Sequence, residues 1–399
     1  MIKHKVSLAA AIALAVSQSA YANDINVNGF LSVGASMLDN DDVSIAGADT
    51  TGGFKNDTIL GLQISKQVND KTSVTGQLVS RGEQDYKTEA SWAFVTYNAN
   101  NNTDLRMGRL RVPAFYYSDF LEVGYAYNWV RPPVEVYRLP FSSIDGLDLT
   151  HSYSAGSVDG SVQVYYGRFQ GDMAIGGDEE YSTDAKNLTG IVLSNSFGNF
   201  GTRLSYHRAE INIDAAAGDG TALGNAIGAA TAIAAVPAGI NVGTATGNAA
   251  LAGFTGIGDA SAADDFAPDG QTTTFMQAAV SYDNGDVSMV AEWTALENDY
   301  LAIPDDTAWM VTVAKRFGDY TPHLTYSYDK DEYESGSEGD LQEALGLAFE
   351  QSSITLGLRY DYDAATALKF EVQTNNEKND STDLDETGTL YSVALDLVF

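Results

Sequence analysis

Few residues here could do acid–base chemistry. Past position 22 the chain holds three histidines, His151, His207 and His323. A hydrolytic site needs a histidine beside an acid or a hydroxyl nucleophile. Period-2 alternation puts His323 and Asp329 on one face, but six residues of strand separate them by roughly 20 Å. His151 falls on the opposite phase, among Leu147, Leu149 and Tyr153. No phosphate-binding loop, H-E-x-x-H, G-x-S-x-G or dinucleotide fingerprint occurs. The chain has no cysteine, which excludes thiol catalysis, disulfides and thiolate metal sites. Its net charge of −32 excludes a nucleic-acid partner, which needs a basic footprint. These residues read as a non-enzyme without cofactor or metal.

A second kind of chemistry, electrostatic selection of ions, has better candidates. Residues 112–145 hold nine aromatics, Phe115, Tyr116, Tyr117, Phe120, Tyr125, Tyr127, Trp129, Tyr137 and Phe141. Four of the chain's eight prolines, Pro113, Pro132, Pro133 and Pro140, stiffen the same segment. So apolar and stiff a loop must pack against something. It also carries the acids Asp119, Glu122, Glu135 and Asp145 and the cations Arg131 and Arg138. Rings of charge at close quarters set ion selectivity. In the other reading, Arg131 and Arg138 pair with loop acids and hold the loop in shape.

The elements that must carry these residues alternate with period 2 in segments of about ten, broken by Gly, Asn and Asp. In 387–399, Thr389, Tyr391, Val393, Leu395, Leu397 and Phe399 share one face, with Ser392, Ala394 and Asp396 opposite. The same pattern predicts sixteen strands, near 24–38, 58–68, 72–81, 89–98, 103–110, 146–155, 160–170, 186–197, 201–212, 271–283, 286–297, 306–317, 320–330, 352–362, 366–376 and 387–399. Connections alternate short and long, the long ones including 39–57, 111–145, 171–185 and 213–270. An even strand number with short turns at one end and long loops at the other predicts an all-β transmembrane antiparallel up-and-down barrel. Lipid cannot satisfy an open sheet edge, so the sheet must close. Trp92, Trp293, Trp309, Phe317, Tyr360, Tyr362 and Phe399 fit aromatic girdles at the two interfaces. Alternation places Arg81 and Arg106 on the inner wall. Arg109 and Arg111 follow Gly108, where the phase is open.

The alternating tail Tyr391, Val393, Leu395, Leu397 and Phe399 resembles the terminal signal of outer-membrane barrel proteins. Together with the sixteen strands, the third long loop and Leu105-Arg106-Met107-Gly108-Arg109, it makes the chain resemble the Gram-negative trimeric porins. The PEFGG-type turn of enterobacterial general porins is absent, and the third loop reads Val123-Gly124-Tyr125-Ala126-Tyr127-Asn128-Trp129 instead. The resemblance implies a third loop folded into the lumen and a pore for passive diffusion of small hydrophilic solutes and ions. It further implies a homotrimer, recognition of the tail by the barrel assembly machinery, and contact with outer-membrane lipid and lipopolysaccharide. On this reading Arg81, Arg106, Arg109, Arg111, Asp119, Glu122, Arg131, Glu135 and Arg138 form the constriction. The acidic balance points to a modest cation preference. A pore selective for sugars or aromatic solutes is the alternative. An outer-membrane enzyme or an adhesive barrel is more remote.

Residues 1–22 read as an export signal. Lys3, His4 and Lys5 precede an apolar run from Val6 to Val16, and Ala20-Tyr21-Ala22 offers a small-x-small cleavage site. The mature barrel is then 23–399. Residues 213–270 hold 19 alanines and 11 glycines among 58, with no lysine or arginine. That composition predicts an extracellular insertion with little order, helical in part around 222–236.

Overall fold

In the computed structural model, sixteen antiparallel strands close into one barrel. Each pairs with its sequence neighbours, and the first pairs with the last. The structure describes residues 25–40, 43, 45–174, 180–215, 222–251, 253–263, 265–266, 269–379 and 384–399. The export segment 1–22, with Ala20 and Ala22, lies outside them. The strands are β1 (Ile25–Leu38), β2 (Ile59–Asn69), β3 (Thr72–Arg81), β4 (Thr88–Asn100), β5 (Thr103–Arg111), β6 (Ser143–Ala155), β7 (Val158–Ala174) and β8 (Glu180–Phe197). The second half comprises β9 (Phe200–Ile213), β10 (Asp269–Asp283), β11 (Val287–Asn298), β12 (Asp305–Lys315), β13 (Tyr320–Glu332), β14 (Glu350–Asp361), β15 (Thr366–Asn379) and β16 (Leu384–Val398). Among the described residues, no helix is long and apolar enough to cross a membrane.

Alternation sorts the side chains as lipid requires. Leu60, Leu62 and Ile64 on β2, Ile354, Leu356 and Leu358 on β14, and Tyr391 and Leu395 on β16 point outward and stay exposed. Trp293 is the register partner of Trp309, whose ring lies 5.3 Å from that of Tyr326. Near the short turns, Tyr320 stacks on Tyr360 at 4.8 Å and Phe197 on Phe200 at 5.6 Å. Trp92 departs from the girdle expectation. Ser91 is an extra residue in β4, marked by a register shift between Gln77 and Leu78. Trp92 keeps the inward phase of Phe94 and Thr96, opposite Gln77, and the bulge changes the phase only before it.

The barrel closes at the C terminus. Gly29 N–H donates to the Phe399 carbonyl at 2.7 Å, and Phe399 N–H donates back at 2.9 Å. The Phe399 ring covers Gly29 so closely that a Cβ there would sit 2.4 Å from it.

Two elements are more ordered than composition suggests. β7 and β8 run to Ala174 and from Glu180, well into the segment read as the loop 171–185. The insertion forms helices α1 (Ala222–Ala235) and α2 (Val242–Thr246), and a further helix, α3 (Ser337–Leu345), stands between β13 and β14. Leu223, Ile227, Ala230 and Ile233 fall on one face of α1 at helical spacing and are buried in one cluster with Tyr181, Met173, Leu301 and Leu341. Polar links join the same parts. Leu223 N–H donates to the Tyr181 hydroxyl at 3.0 Å, Ser337 Oγ to Asp259 at 2.9 Å, and Gln342 Nε2 to the Leu301 carbonyl at 3.1 Å. The extended β7–β8 hairpin is the wall on which the insertion packs.

Candidate functional site: the third loop in the lumen

The loop after β5 lies inside the barrel. Its aromatics pack on one another around Tyr117, whose ring is 4.9 Å from Tyr116, 5.3 Å from Phe120 and 5.3 Å from Trp129. Edge-to-face pairs of this kind add roughly 0.5–1.5 kcal/mol each beyond the area they bury. Short 3₁₀ turns at Ser118–Phe120 and Gly124–Ala126 keep the chain compact. Burial pushes the Tyr117 and Tyr137 hydroxyls upward from their ordinary range, so both stay neutral.

The wall holds the loop by its backbone as well as by its side chains. Lys369 Nζ donates to the carbonyls of Gly124 and Trp129, both at 2.6 Å. Arg359 donates to those of Tyr125 at 2.7 Å and Tyr127 at 2.9 Å. Ser205 Oγ donates to the Ala114 carbonyl at 3.2 Å, and Arg203 to that of Pro113. Side chains add Trp129 Nε1 to Thr325 Oγ1 at 2.8 Å, and Glu292 accepts from Tyr137 and from Tyr116 N–H. The approach at Gly124 is close. A Cβ there would meet Asp396 Oδ1 at 2.3 Å and Ser32 Oγ at 2.5 Å, so any side chain would have to displace both.

This docking is one-sided. The inward residues of β13, β15 and β16 are almost entirely covered, including Thr325, Ser327, Lys369, Asn375 and Asp396. On the other side Gln63, Ser65, Thr75, Thr96, Asn98 and Gln163 remain half-buried. The less covered inward side chains therefore lie on β2–β7, where Trp92 and Phe94 are also half-buried. Arg111 lies 6.0 Å over the Trp92 ring and Arg106 5.6 Å over Phe94.

The nine charged residues picked from the sequence fall in different places. Arg81 and Arg111 both clasp Glu122, at 2.6 and 3.1 Å, and Arg81 also meets Glu89. Burial pushes the Glu122 carboxyl up, but the guanidiniums of Arg111 and Arg81 outweigh it and hold it below the usual glutamate range. Arg106 faces inward, paired with Asp148 at 2.8 Å. Arg109 is not on the inner wall. Register pairs it with Asp145 and Ala93, so it shares the outer face with Leu105 and Met107 and bonds Asp145 at 3.0 Å. Asp119 is exposed on the loop. Arg131 pairs with Asp57 from the first long loop. Glu135 is fully buried and accepts from Ser327 Oγ at 2.8 Å.

Arg138 reaches Asp329 at 2.7 Å, Asp331 at 3.4 Å, and Asp306. Those three carboxylates lie within 4.8 Å of one another, a spacing that suits a cation, and the Arg138 guanidinium already supplies the positive charge.

Sequence reasoning missed Arg203, Arg359, Lys369 and Glu292, which are scattered over β9, β14, β15 and β11. Inward phase alone was their signal. The histidines disperse as well. His151 meets Thr103 Oγ1 at 2.9 Å on the outer face, His207 the Tyr165 hydroxyl at 2.7 Å, and His323 lies 3.5 Å from Glu371 rather than near Asp329.

Comparison with known proteins bears on this arrangement. The family model described as Gram-negative porin matches residues 8–380. A search of curated proteins found no match. Among solved structures, a loop L8 deletion mutant of OmpT, an outer membrane protein of Vibrio cholerae, superposes with a TM-score of 0.56 at 14% identity, covering 94% of this chain and 99% of that one. An anion-selective porin from Comamonas acidovorans gives 0.55 at 13%, covering 94% and 99%. OmpF of Salmonella typhi, in complex with daunomycin, gives 0.50 at 14%, covering 94% and 98%. At such identities the likeness concerns the fold.

Proposed function

The chain belongs to the Gram-negative porin family, and from that membership we propose that it forms a water-filled outer-membrane channel for passive diffusion of small hydrophilic solutes and ions. The observation that carries this reading is the one-sided docking of the third loop. It narrows a sixteen-stranded lumen and leaves polar inward side chains of β2–β7, such as Gln63, Thr75 and Asn98, only half-buried. Barrels of this size leave an aqueous passage. We read the chain as a channel rather than an enzyme, working as a homotrimer after export, delivered by the barrel assembly machinery and surrounded by outer-membrane lipid and lipopolysaccharide.

A modest preference for cations belongs to the same reading. Asp119 is exposed, whereas Arg81 and Arg111 are offset by Glu122 together with Glu89. Loop charges act over roughly 8–10 Å at physiological salt, so the constriction governs selectivity when salt is high. A second reading, selectivity for an organic solute, draws on Trp92 and Phe94, whose ring centroids are 6.2 Å apart on the open wall. Purified protein in a planar bilayer separates the two. Ohmic steps with a reversal potential on the cation side support the general pore. Saturable block by a sugar or an aromatic solute supports the selective one, and absence of conductance overturns both.

A further inference from the structure

The inner wall is not polar throughout. Toward the long loops, the inward phase of β7–β9 carries Phe169, Met173, Tyr181, Ala185, Ile211 and Ile213, while Ser182, Lys186 and Arg208 on the other phase are exposed. Apolar side chains on the water side of a channel need a cover. That cover is α1, which has no charged residue and buries Leu223, Ile227 and Ile233 in one cluster with this wall. Its first turn is fixed to β8 by the bond from Leu223 N–H to the Tyr181 hydroxyl. Its last turn is pinned by the insertion itself, with Ile257 N–H donating to the Ile233 carbonyl at 3.2 Å and Gly258 N–H to that of Val236 at 2.9 Å. The insertion then reaches the loops after β11 and β13. Leu301 N–H donates to the Asp265 carbonyl at 3.0 Å, and Ser337 Oγ meets Asp259. These parts form an arch over the loops of β7 to β14, half of the barrel's strands. Both roots of the third loop join the same apolar body. Phe115 meets Phe275 edge-on at 5.4 Å, and Phe141 stacks on Phe169 at 4.7 Å.

An insertion standing free of the barrel would bury nothing on the inward phase, and one lying on the outer face would bury the wrong phase. We propose that the insertion determines the size of solute the channel admits, with α1 filling the outer mouth on the side of β7–β10 and confining entry to the side of β2–β6. This rests on the channel reading above. The packed position is the resident one, because lifting α1 would bare its own apolar face and the wall beneath it to water. The third loop is then the lower of two restrictions in series, and the insertion is the upper one.

The test compares liposome swelling in sugars of increasing size, and unit conductance in planar bilayers, between the parent and Ile227→Asp with Ile233→Asp. Two carboxylates cannot stay in that apolar body, so α1 must leave the wall. The variant should admit larger sugars than the parent, and its unit conductance should rise by up to roughly twofold, because the arch spans half of a barrel whose width follows its strand number. Asn225→Asp places a carboxylate on the exposed side of the same helix and should keep the parent's size limit. If the aspartate pair fails to assemble, as read from resistance to detergent unfolding, Ile227→Ala with Ile233→Ala should move the limit in the same direction by less. A parent and unseated variants with one size limit and one conductance overturn the proposal and leave the third loop as the only restriction. So does Asn225→Asp widening the pore as much as the pair, which would make the effect one of charge. A conducting parent with unmoved variants sinks this inference alone, whereas parent and variants that all pass nothing sink the channel reading with it.

Discussion

Lys369 Nζ lies 2.8 Å from Asp396 Oδ2, and neither side chain is open to solvent. The same ammonium donates to two carbonyls of the third loop, so one buried charge fastens β15, β16 and the loop together. Removing one partner of a buried pair leaves the other uncompensated, at a cost of roughly 3–5 kcal/mol. Lys369→Met should therefore unfold far faster in denaturant than the parent, and Lys369→Met with Asp396→Leu should recover part of the loss. A single variant as stable as the parent would show that the loop is held elsewhere.

Acid should loosen the other end of the loop. Glu122 sits between Arg111 and Arg81 with its carboxyl held below the ordinary 4.5. A lowered folded-state value means the contribution is fully present above the unfolded value and disappears as pH falls through the folded one. The parent should thus be more stable than Glu122→Gln at neutral pH, and the gap should narrow only below pH 4.5, in the range where Glu122 itself takes up a proton. Thermal unfolding of both proteins across that range checks it. A gap that closes already near neutrality would contradict the pairing.

Phe399 ends the last strand and lays its ring over Gly29 while its backbone pairs with the first strand. Phe399→Ala keeps those two backbone bonds and loses the ring. The amount of folded barrel in the outer membrane should drop, as read from the fraction that resists detergent unfolding. Undiminished assembly would separate the seam from the tail's role.

The insertion should behave as a packed cap. Ile227 and Ile233 are buried in α1, and each cut to alanine should cost roughly 2–5 kcal/mol locally. The double variant should be cleaved by protease within 213–270 faster than the parent, while the barrel's own unfolding temperature holds. Equal cleavage would mean that α1 does not hold the insertion down.

The strands were legible because their pattern is local. Leu395 and Asp396 face opposite ways whatever the rest of the chain does. Trp92 was misplaced because its residue type and place near a strand end suit a girdle, although it shares its phase with the inward Phe94 and Thr96. Arg109 was left open beside Gly108, though the outward phase of Leu105 and Met107 continues to it, and Arg111 at the strand's end turns inward to Glu122. The insertion looked unable to order itself because alanine counts hide periodicity. Leu223, Ile227, Ala230 and Ile233 already stand at helical spacing, but the apolar wall that receives them comes from Met173 and Tyr181, some fifty residues away. Arg203 carries no motif, and its contact with the Pro113 carbonyl depends on how the loop folds back in three dimensions.

Lys369, Arg359, Arg203 and Ser205 grip the third loop by its carbonyl oxygens. A carbonyl is present whatever residue carries it. Part of the mount is therefore independent of the lining, and a loop side chain without a wall partner, such as that of Asp119, can be exchanged for another of different charge or size while this fastening stays intact. A lineage could retune what it admits by point substitutions at positions such as Asp119, with no compensating change in the barrel. The same property makes this loop a suitable place to graft a chosen lining.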